Sequence, residues 1–195
     1  MNFVEPIKSK EKISAFRKIL RSGANGVRNE TLFVLGINSV FRVSDLLNLK
    51  VGDVAEDGEL KETLVIKENK TGKIHQTALN ESALKVLDEY LRELGGLKNL
   101  PADRLLFTSR HTTDTPISRQ RLFQILKKAA TEAGVENFGP HSLRKTFAYH
   151  VYKASANNIG LIQRLLNHCS PGVTKKYIGI DQEDMDTACL NLNLY

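Results

Sequence analysis

Apolar residues recur at intervals of three and four along most of this chain, which is the spacing of helices that bury one face. Serines and prolines stand before these segments and glycines follow several of them, as expected for helix caps. The segment at 26–38 is apolar enough to indicate a helix buried on most sides. The predicted helices lie at residues 9–21, 26–38, 82–94, 118–133, 141–153, 158–166 and 170–177. A further short helix would carry Leu46, Leu47 and Leu49 inward, with Ser44 or Asp45 as its N-cap.

The spacing changes to strand-like runs of β-branched residues at only one place, residues 62–79. Two such runs flank the turn at 68–72, where Gly72 can supply the positive φ that a hairpin requires. The run at 105–107 is a possible edge strand within a long loop. The predicted fold class is therefore mainly α with a small antiparallel β-hairpin or sheet (α+β).

Length and composition indicate one globular domain. The chain has 195 residues, a net charge of +6 and a sequence pI of about 9.3, so a polyanionic partner is favoured but not required. It has two cysteines, Cys169 and Cys189, and no apolar run that resembles a signal peptide or a membrane span. We expect a cytoplasmic protein with reduced thiols, formed by one domain over residues 1–180 and an acidic amphipathic tail over 181–195.

Candidate chemistry concentrates between residues 139 and 177. His141 and Arg144 are three apart in a predicted helix, so both side chains project from one face and could hold a phosphate. Tyr177 follows His168 by nine residues and is flanked by two lysines, and a phenol among cations ionises more readily. With no carboxylate in that stretch, the residues indicate chemistry on an anion without a divalent metal.

Three other groups of residues have both a functional and a structural interpretation. Arg42 among apolar neighbours is either a functional cation or half of a buried ion pair with Asp45 or Asp53. The lysines of the hairpin are either functional or simply solvated. The first turn of the helix after Ser118 either enters a DNA groove or faces solvent; its polar residues are Arg119, Gln120 and Arg121.

Taken together, four motifs resemble the catalytic domain of the tyrosine recombinases, or phage integrase family. They are NSVFRVSDLLNLKVGDV around Arg42, the hairpin NKTGKIHQTAL, PHSLRKTFA with its His-x-x-Arg, and LLNHCSPGVTKKY. Each motif alone is weak, but four in this order over residues 13–180 are specific. The chain departs from the family pattern where Thr-Gly-Leu, Gly and His are usual; these positions hold Ser39-Val40-Phe41, Asn167 and Lys145.

The resemblance implies an enzyme that cuts and rejoins DNA without a metal or any other cofactor. Tyr177 would be the nucleophile that forms a 3′-phosphotyrosyl linkage, while Arg42 and Arg144 would hold the non-bridging phosphate oxygens. His168 would add a hydrogen bond, and His141 would accept or relay the tyrosine proton.

The resemblance also implies roles for the hairpin lysines and for DNA-binding residues. Lys70 would protonate the departing 5′ oxygen, with Lys73 as the reserve candidate. The expected DNA-binding residues are Lys73, Arg119, Gln120, Arg121 and Lys145.

The implied partner is double-stranded DNA, on which four copies of a recombinase that is monomeric in free solution would assemble. A bacterial or phage gene would encode it, and we expect no N-terminal core-binding domain before residue 13. Two alternatives stay open: a non-catalytic DNA-binding protein on the same fold, and a type IB topoisomerase-like enzyme that relaxes DNA.

Overall fold

A computed structural model describes residues 4–67, 72, 74–109, 114–179, 186, 189, 190 and 192. In these residues the chain is mainly helical. The helices are α1 (Lys10–Ser22), α2 (Gly26–Ile37), α3 (Val43–Leu46), α4 (Val51–Val54), α5 (Glu81–Glu93), α6 (Arg119–Glu132), α7 (Ser142–Ala154), α8 (Ile159–Leu166) and α9 (Pro171–Ile178). The strands are β1 (Ala55–Glu56), β2 (Glu59–Leu60), β3 (Thr63–Lys67) and β4 (Ile74–Ala78).

Capping side chains fix the start of most of the long helices. Ser9 accepts the backbone N–H of Lys12 at α1, and Ser118 accepts that of Arg121 at α6. Ser170 caps α9, whose first residue is Pro171. The predicted cap of α3 was wrong: Arg42 occupies the N-cap position, and Ser44 and Asp45 lie inside the helix.

The predicted hairpin is confirmed as an antiparallel pair of β3 and β4, in which Thr63 lies opposite Ala78 and Lys67 opposite Ile74. Gly72 has φ +68, as expected for the turn. The sequence analysis missed the small β1–β2 pair. The run at 105–107 forms no strand; single bridges join Lys50 to Leu105 and Thr108 to Pro116 instead.

The main core surrounds α2, which packs against α1, α5 and α7 and is buried over most of its surface, as predicted. Gly36 of α2 allows α7 to approach closely, because a Cβ at this position would lie 2.7 Å from Cδ1 of Leu143. This contact sets the distance between the central helix and the helix that begins next to His141.

A second, smaller core lies between α7, α8 and α9 and consists of Ala148, Ile162, Leu166 and Ile178. Tyr177 packs against its edge. Helix α7 contributes to both cores and therefore connects the α1–α6 layer to the segment that carries His168 and Tyr177. Within the described residues, no helix is both long and apolar enough to cross a membrane.

Candidate active site

The two arginines and the first histidine of the predicted site lie in the wall of one cavity. This cavity has a volume of about 390 Å³, and its polar lining includes Arg42, His141 and Arg144. Arg42 comes from the α2–α3 connection, His141 is the N-cap residue of α7, and Arg144 lies in the first turn of that helix. Residues about a hundred positions apart in sequence thus meet at one concave surface.

The two carboxylates considered as ion-pair partners of Arg42 differ in their own contacts. Asp53, one of the two expected partners, accepts the backbone N–H of Lys50 at 2.7 Å at the start of α4. The Oδ2 atom of Asp45, the other candidate, is buried and accepts no hydrogen bond from the described residues. Arg42 itself is half-buried in the cavity wall.

Helix α8 ends in a turn that brings His168 toward Arg144. Asn167 adopts the left-handed conformation, φ 58 and ψ 41, which asparagine tolerates better than most residues other than glycine. Nη2 of Arg144 donates to the Leu166 carbonyl at 3.2 Å, next to that turn. Nδ1 of His168 lies 3.1 Å from Oγ1 of Thr174, and Gln163 donates to the His168 carbonyl. The imidazole of His168 is therefore held from α8 and from α9.

Tyr177 lies in the last turn of α9, edge-on to His168, with the two ring centroids 5.0 Å apart. The tyrosine is half-buried, whereas the flanking Lys175 and Lys176 are exposed. The cations that act on the phenol are instead Arg144 and Arg42. The cavity arginines and the His168–Tyr177 pair thus form one electrostatic unit.

The expectation that surrounding cations make Tyr177 ionise readily was wrong in its net direction. Burial raises the pKa of the Tyr177 phenol, and the opposing effect of Arg144 and Arg42 is smaller. In this structure Tyr177 is therefore a neutral phenol near pH 7 that needs a proton acceptor in order to react.

Both histidines are suited to accept protons. Burial lowers the pKa of His141, and the charges of Arg144 and Arg42 lower it further. Burial and then Arg144 lower the pKa of His168. Each imidazole is consequently neutral near pH 7, with a lone pair available at one ring nitrogen.

The first turn of α6 faces two different surfaces. Arg119 and Gln120 line the same cavity as Arg42 and His141, whereas Arg121 lines a second cavity between α1 and α6. All three side chains of this turn are exposed. The prediction that they bind DNA stays a prediction, but the geometry separates Arg119 and Gln120 from Arg121.

The remaining predicted site residues lie elsewhere. Lys70 and Lys73 are outside the described residues, although Lys67 at the end of β3 is exposed. Lys145 is buried, and its ammonium donates to the Val4 carbonyl at 2.6 Å. This position indicates a structural contact for Lys145, and its predicted contact with DNA stays a prediction.

Residues 4–9 run along α7, and their contribution to the site was not predicted from the sequence. Their contacts with Ser142, Lys145, Thr146 and His150 join parts of the chain that are more than 130 residues apart. Periodicity within a short window carries no signal for such contacts. His150 makes a structural contact of this kind, because its Nε2 lies 3.0 Å from the Ile7 carbonyl.

Comparisons with known proteins agree with this geometry. A model of the phage integrase family matches residues 8–184. The probable integrase/recombinase YoeC of Bacillus subtilis is 40% identical over 183 residues, which cover 94% of this chain and 93% of YoeC. The tyrosine recombinase XerC of Caldanaerobacter subterraneus is 31% identical over 178 residues, 88% of this chain and 47% of XerC. The chain thus spans nearly all of YoeC but about half of XerC.

The fold is also that of solved recombinases. The crystal structure of XerA recombinase matches 98% of this chain and 67% of its own, with a TM-score of 0.75 and 21% identity. XerH recombinase bound to a palindromic difH substrate, in a post-cleavage complex, matches 98% of this chain and 54% of its own with a TM-score of 0.70 and 23% identity. The homologues are tyrosine recombinases, and the sequence match extends over most of the described chain. The chain belongs to the phage integrase family.

Proposed function

We propose that this protein is a site-specific DNA recombinase, an enzyme that cleaves and rejoins DNA through a covalent link to Tyr177. One observation carries the proposal: Arg42, His141 and Arg144 line a single cavity, and Nη2 of Arg144 donates to the Leu166 carbonyl beside the turn that carries His168, the ring partner of Tyr177. Guanidinium groups donate hydrogen bonds in a planar fork that fits phosphate oxygens, so two of them at one cavity form a binding site for a backbone phosphate.

In the proposed cleavage step, the Tyr177 oxygen forms a bond to phosphorus while the bond from phosphorus to the 5′ oxygen breaks. The phenol proton passes to a neutral imidazole, for which His141 is the main candidate. Arg42 and Arg144 stabilise the added charge on the non-bridging oxygens in the transition state, and His168 supplies a further hydrogen bond. The products are a 3′-phosphotyrosyl linkage and a free 5′-hydroxyl.

Protonation of the leaving oxygen completes the step, since an alkoxide is a poor leaving group. We assign this proton to Lys70, with Lys73 as the alternative, on the basis of the hairpin motif of the family. Rejoining is the reverse reaction, in which a 5′-hydroxyl attacks the phosphotyrosine. The phosphotyrosyl bond conserves the energy of the broken phosphodiester, so rejoining needs no ATP. In the proposed mechanism the two arginines supply the positive charge that a metal ion would otherwise supply.

The proposed substrate is double-stranded DNA. The solved XerH structures hold their difH substrate in pre-cleavage and post-cleavage complexes. In this chain, Arg119 and Gln120 are exposed at the start of α6 and line the catalytic cavity, which supports contact with DNA beside the reacting phosphate. We also propose that the protein acts in the cytoplasm and is encoded by a bacterium or a phage; the similarity to YoeC of Bacillus subtilis supports a bacterial origin.

We further propose that residues up to 180 act as one catalytic unit, which is monomeric in solution and forms a tetramer on two duplexes. The tail after residue 180 would dock in cis or on a neighbouring subunit. Exposed apolar side chains support this assembly: Leu161 and Val173 on α8 and α9, and Leu190 and Leu192 in the tail. Light scattering with and without DNA would distinguish the two states.

The direct test of the proposed function is a trapping experiment on nicked DNA. The wild-type protein is incubated with a library of nicked duplexes of randomised sequence, and protein–DNA adducts that resist SDS are isolated. We expect an adduct with the wild type and with Tyr152→Phe, a control at a half-buried tyrosine of α7, but none with Tyr177→Phe.

Two results would contradict the proposal. Retarded DNA without any adduct would indicate a non-catalytic DNA-binding protein on this fold. An adduct that leads only to relaxation of supercoiled plasmids, with no exchange between duplexes, would indicate a topoisomerase-like enzyme.

A further inference from the structure

The chain segment before α1 contacts both helices that carry the proposed catalytic residues. This segment, residues 4–9, is called here the N-terminal strap. Its backbone is held along α7 by Thr146, which accepts the Ile7 N–H at 2.8 Å, and by Ser142, which donates to the Glu5 carbonyl at 2.8 Å. These polar contacts are largely buried, so the strap is a fixed part of the site and not a loose terminus.

The strap also reaches the end of α9. Pro6 packs against Gly179, two residues after Tyr177, where a Cβ would lie 3.2 Å from Cδ of the proline. Gly179 has φ +68 and ends the helix in the left-handed conformation. The strap is therefore in contact with the helix of Arg144 and with the last turn of the helix of Tyr177.

One side chain connects the strap to the Tyr177 ring itself. The ammonium of Lys145 donates to the Val4 carbonyl at 2.6 Å and lies 5.4 Å from the centroid of the Tyr177 ring. Lys145 is only 9% exposed, so little water competes with either contact. A cation over an aromatic face is attracted by the ring, and the attraction grows when the pair is removed from water.

We propose that Lys145 is a positioning residue for Tyr177, with its ammonium fixed by the Val4 carbonyl so that it holds the tyrosine ring next to His168. This inference rests on the proposed function in that Tyr177 is taken as the nucleophile. Lys145 does not touch the reacting phosphate; it acts through the ring.

A lysine side chain has the chemistry that this role requires. An ammonium on a four-carbon chain can donate to one carbonyl and still present its charge to a ring above it. Burial lowers the pKa of Lys145, while Glu5 of the strap opposes this effect. The strap thus supplies both the hydrogen-bond acceptor and a nearby carboxylate that favours the charged lysine.

The test compares Lys145→Met, which keeps the length and apolar character of the side chain but removes the charge, with Lys145→Arg, which keeps the charge. The matched control is Lys153→Met on the same helix, because the Lys153 ammonium lies over a different ring, that of Tyr149, at 5.9 Å. A second variant, Gly139→Ala, displaces the strap from the other side, since its Cβ would lie 2.4 Å from Cγ2 of Val4.

The first measurement is the nitration of Tyr177 by tetranitromethane relative to Tyr152, read by peptide mass spectrometry on the folded protein. We expect Lys145→Met and Gly139→Ala to raise this ratio about 3- to 30-fold, the range that corresponds to the loss of one buried cation–aromatic contact. Lys145→Arg and Lys153→Met keep the wild-type ratio. This measurement does not depend on recombination.

The second measurement is the rate of adduct formation on the nicked duplex at saturating DNA. We expect this rate to fall by a similar factor in Lys145→Met and to recover in Lys145→Arg, and saturating DNA separates this effect from any change in the Kd for DNA. Equal nitration ratios in the wild type, Lys145→Met and Gly139→Ala would overturn the positioning role. An equal loss of the adduct-formation rate in Lys145→Met and Lys153→Met would also overturn it. A wild type that forms no adduct would overturn the proposed function instead, and the nitration result would still decide the position of Tyr177.

Discussion

At the scale of single residues, the proposed chemistry depends on which groups around Tyr177 are charged. Burial raises the pKa of the phenol more than the two arginines lower it. Burial also lowers the pKa of both imidazoles, and the charge of Arg144 adds to this effect at His168 and those of Arg144 and Arg42 at His141. An acid and a base that are both uncharged can therefore exchange a proton next to a phosphate-binding cavity. The arginines contribute most once the negatively charged phosphate arrives.

The first prediction concerns the cavity arginines. Arg42→Ala and Arg144→Ala each remove donors that stabilise the pentavalent phosphorus, so the rate of adduct formation falls roughly 100- to 1,000-fold. Arg→Lys substitutions restore little, because one ammonium cannot reproduce the planar fork. Quenched-flow gels of the adduct measure the rates.

The control for this prediction is Arg92→Ala. Arg92 is an exposed arginine of α5 that pairs with Asp88 at 2.8 Å, and its loss leaves the rate unchanged. A cavity variant with wild-type rates would contradict the role of the two guanidinium groups.

The second prediction concerns pH. Because the pKa of His141 is lowered from its ordinary value of 6.5, the neutral base persists below pH 6.5. The kcat/KM of cleavage, which reports the free enzyme, therefore declines along an acid limb whose midpoint lies below pH 6.5. His141→Gln lowers kcat/KM throughout and loses the part of the acid limb due to this residue. An acid limb centred above pH 6.5 in the wild type would contradict the assignment.

The lowered pKa values of His141 and His168 also make the stability of the fold depend on pH. The unfolded chain, whose histidines have the ordinary pKa, binds more protons than the folded chain in the window just below pH 6.5. The free energy of unfolding therefore decreases as the pH falls through that window and shows no contribution from these groups above it. Urea titrations of the wild type and of a His141→Gln, His168→Gln double variant measure this difference.

At the scale of elements, helix α7 determines the site, because it begins at His141 and carries Arg144. Its position is set by the contact of Leu143 with Gly36 of α2. We predict that Gly36→Ala destabilises the protein by about 1 to 3 kcal/mol, the usual cost of overpacking, although alanine favours a helix by up to about 1 kcal/mol.

Urea denaturation of Gly36→Ala and of Gly36→Ala with Leu143→Val tests this contact. The shorter valine gives the new methyl group room, so the double variant recovers part of the loss in Gly36→Ala. Additive effects of the two substitutions would show that this contact does not set the position of α7.

Helix α6 gives a further prediction, since its first turn divides between two cavities. Arg119→Ala weakens DNA binding and lowers the slope of log K against log salt by about one, as expected for the loss of one phosphate contact. It also slows cleavage, because Arg119 lines the catalytic cavity. Arg121→Ala, on the other cavity, leaves the cleavage rate at saturating DNA unchanged. Fluorescence anisotropy at several salt concentrations measures the slope.

The sequence predicted the long helices and the hairpin because their signals are local. A serine before an apolar stripe fixes the start of α1 or α6 whatever the rest of the chain does. The predictions for the start of α3 and for the run at 105–107 were wrong because tertiary contacts determine both segments. Leu105 pairs with Lys50 in a single bridge, and Arg42 takes the N-cap position from which it reaches the cavity.

At the scale of the whole molecule, the family motifs predicted the candidate site residues, but no local pattern could predict how charge and burial balance there. The flanking lysines were expected to make Tyr177 ionise readily. These lysines are exposed, however, and the tyrosine is half-buried at the edge of the smaller core. Likewise, the position of Lys145 depends on Val4, 141 residues earlier in the chain. Such balances follow only from three-dimensional packing.

The proposed mechanism requires that Tyr177 bonds to a phosphate held by Arg42 and Arg144. The most direct measurement is mass spectrometry of the peptide from the trapped adduct, formed in the presence of EDTA, together with the polarity of the attached DNA end. We predict a nucleotide on Tyr177 linked through a 3′-phosphate. A nucleotide on another residue, or linkage through a 5′-phosphate, would contradict the claim.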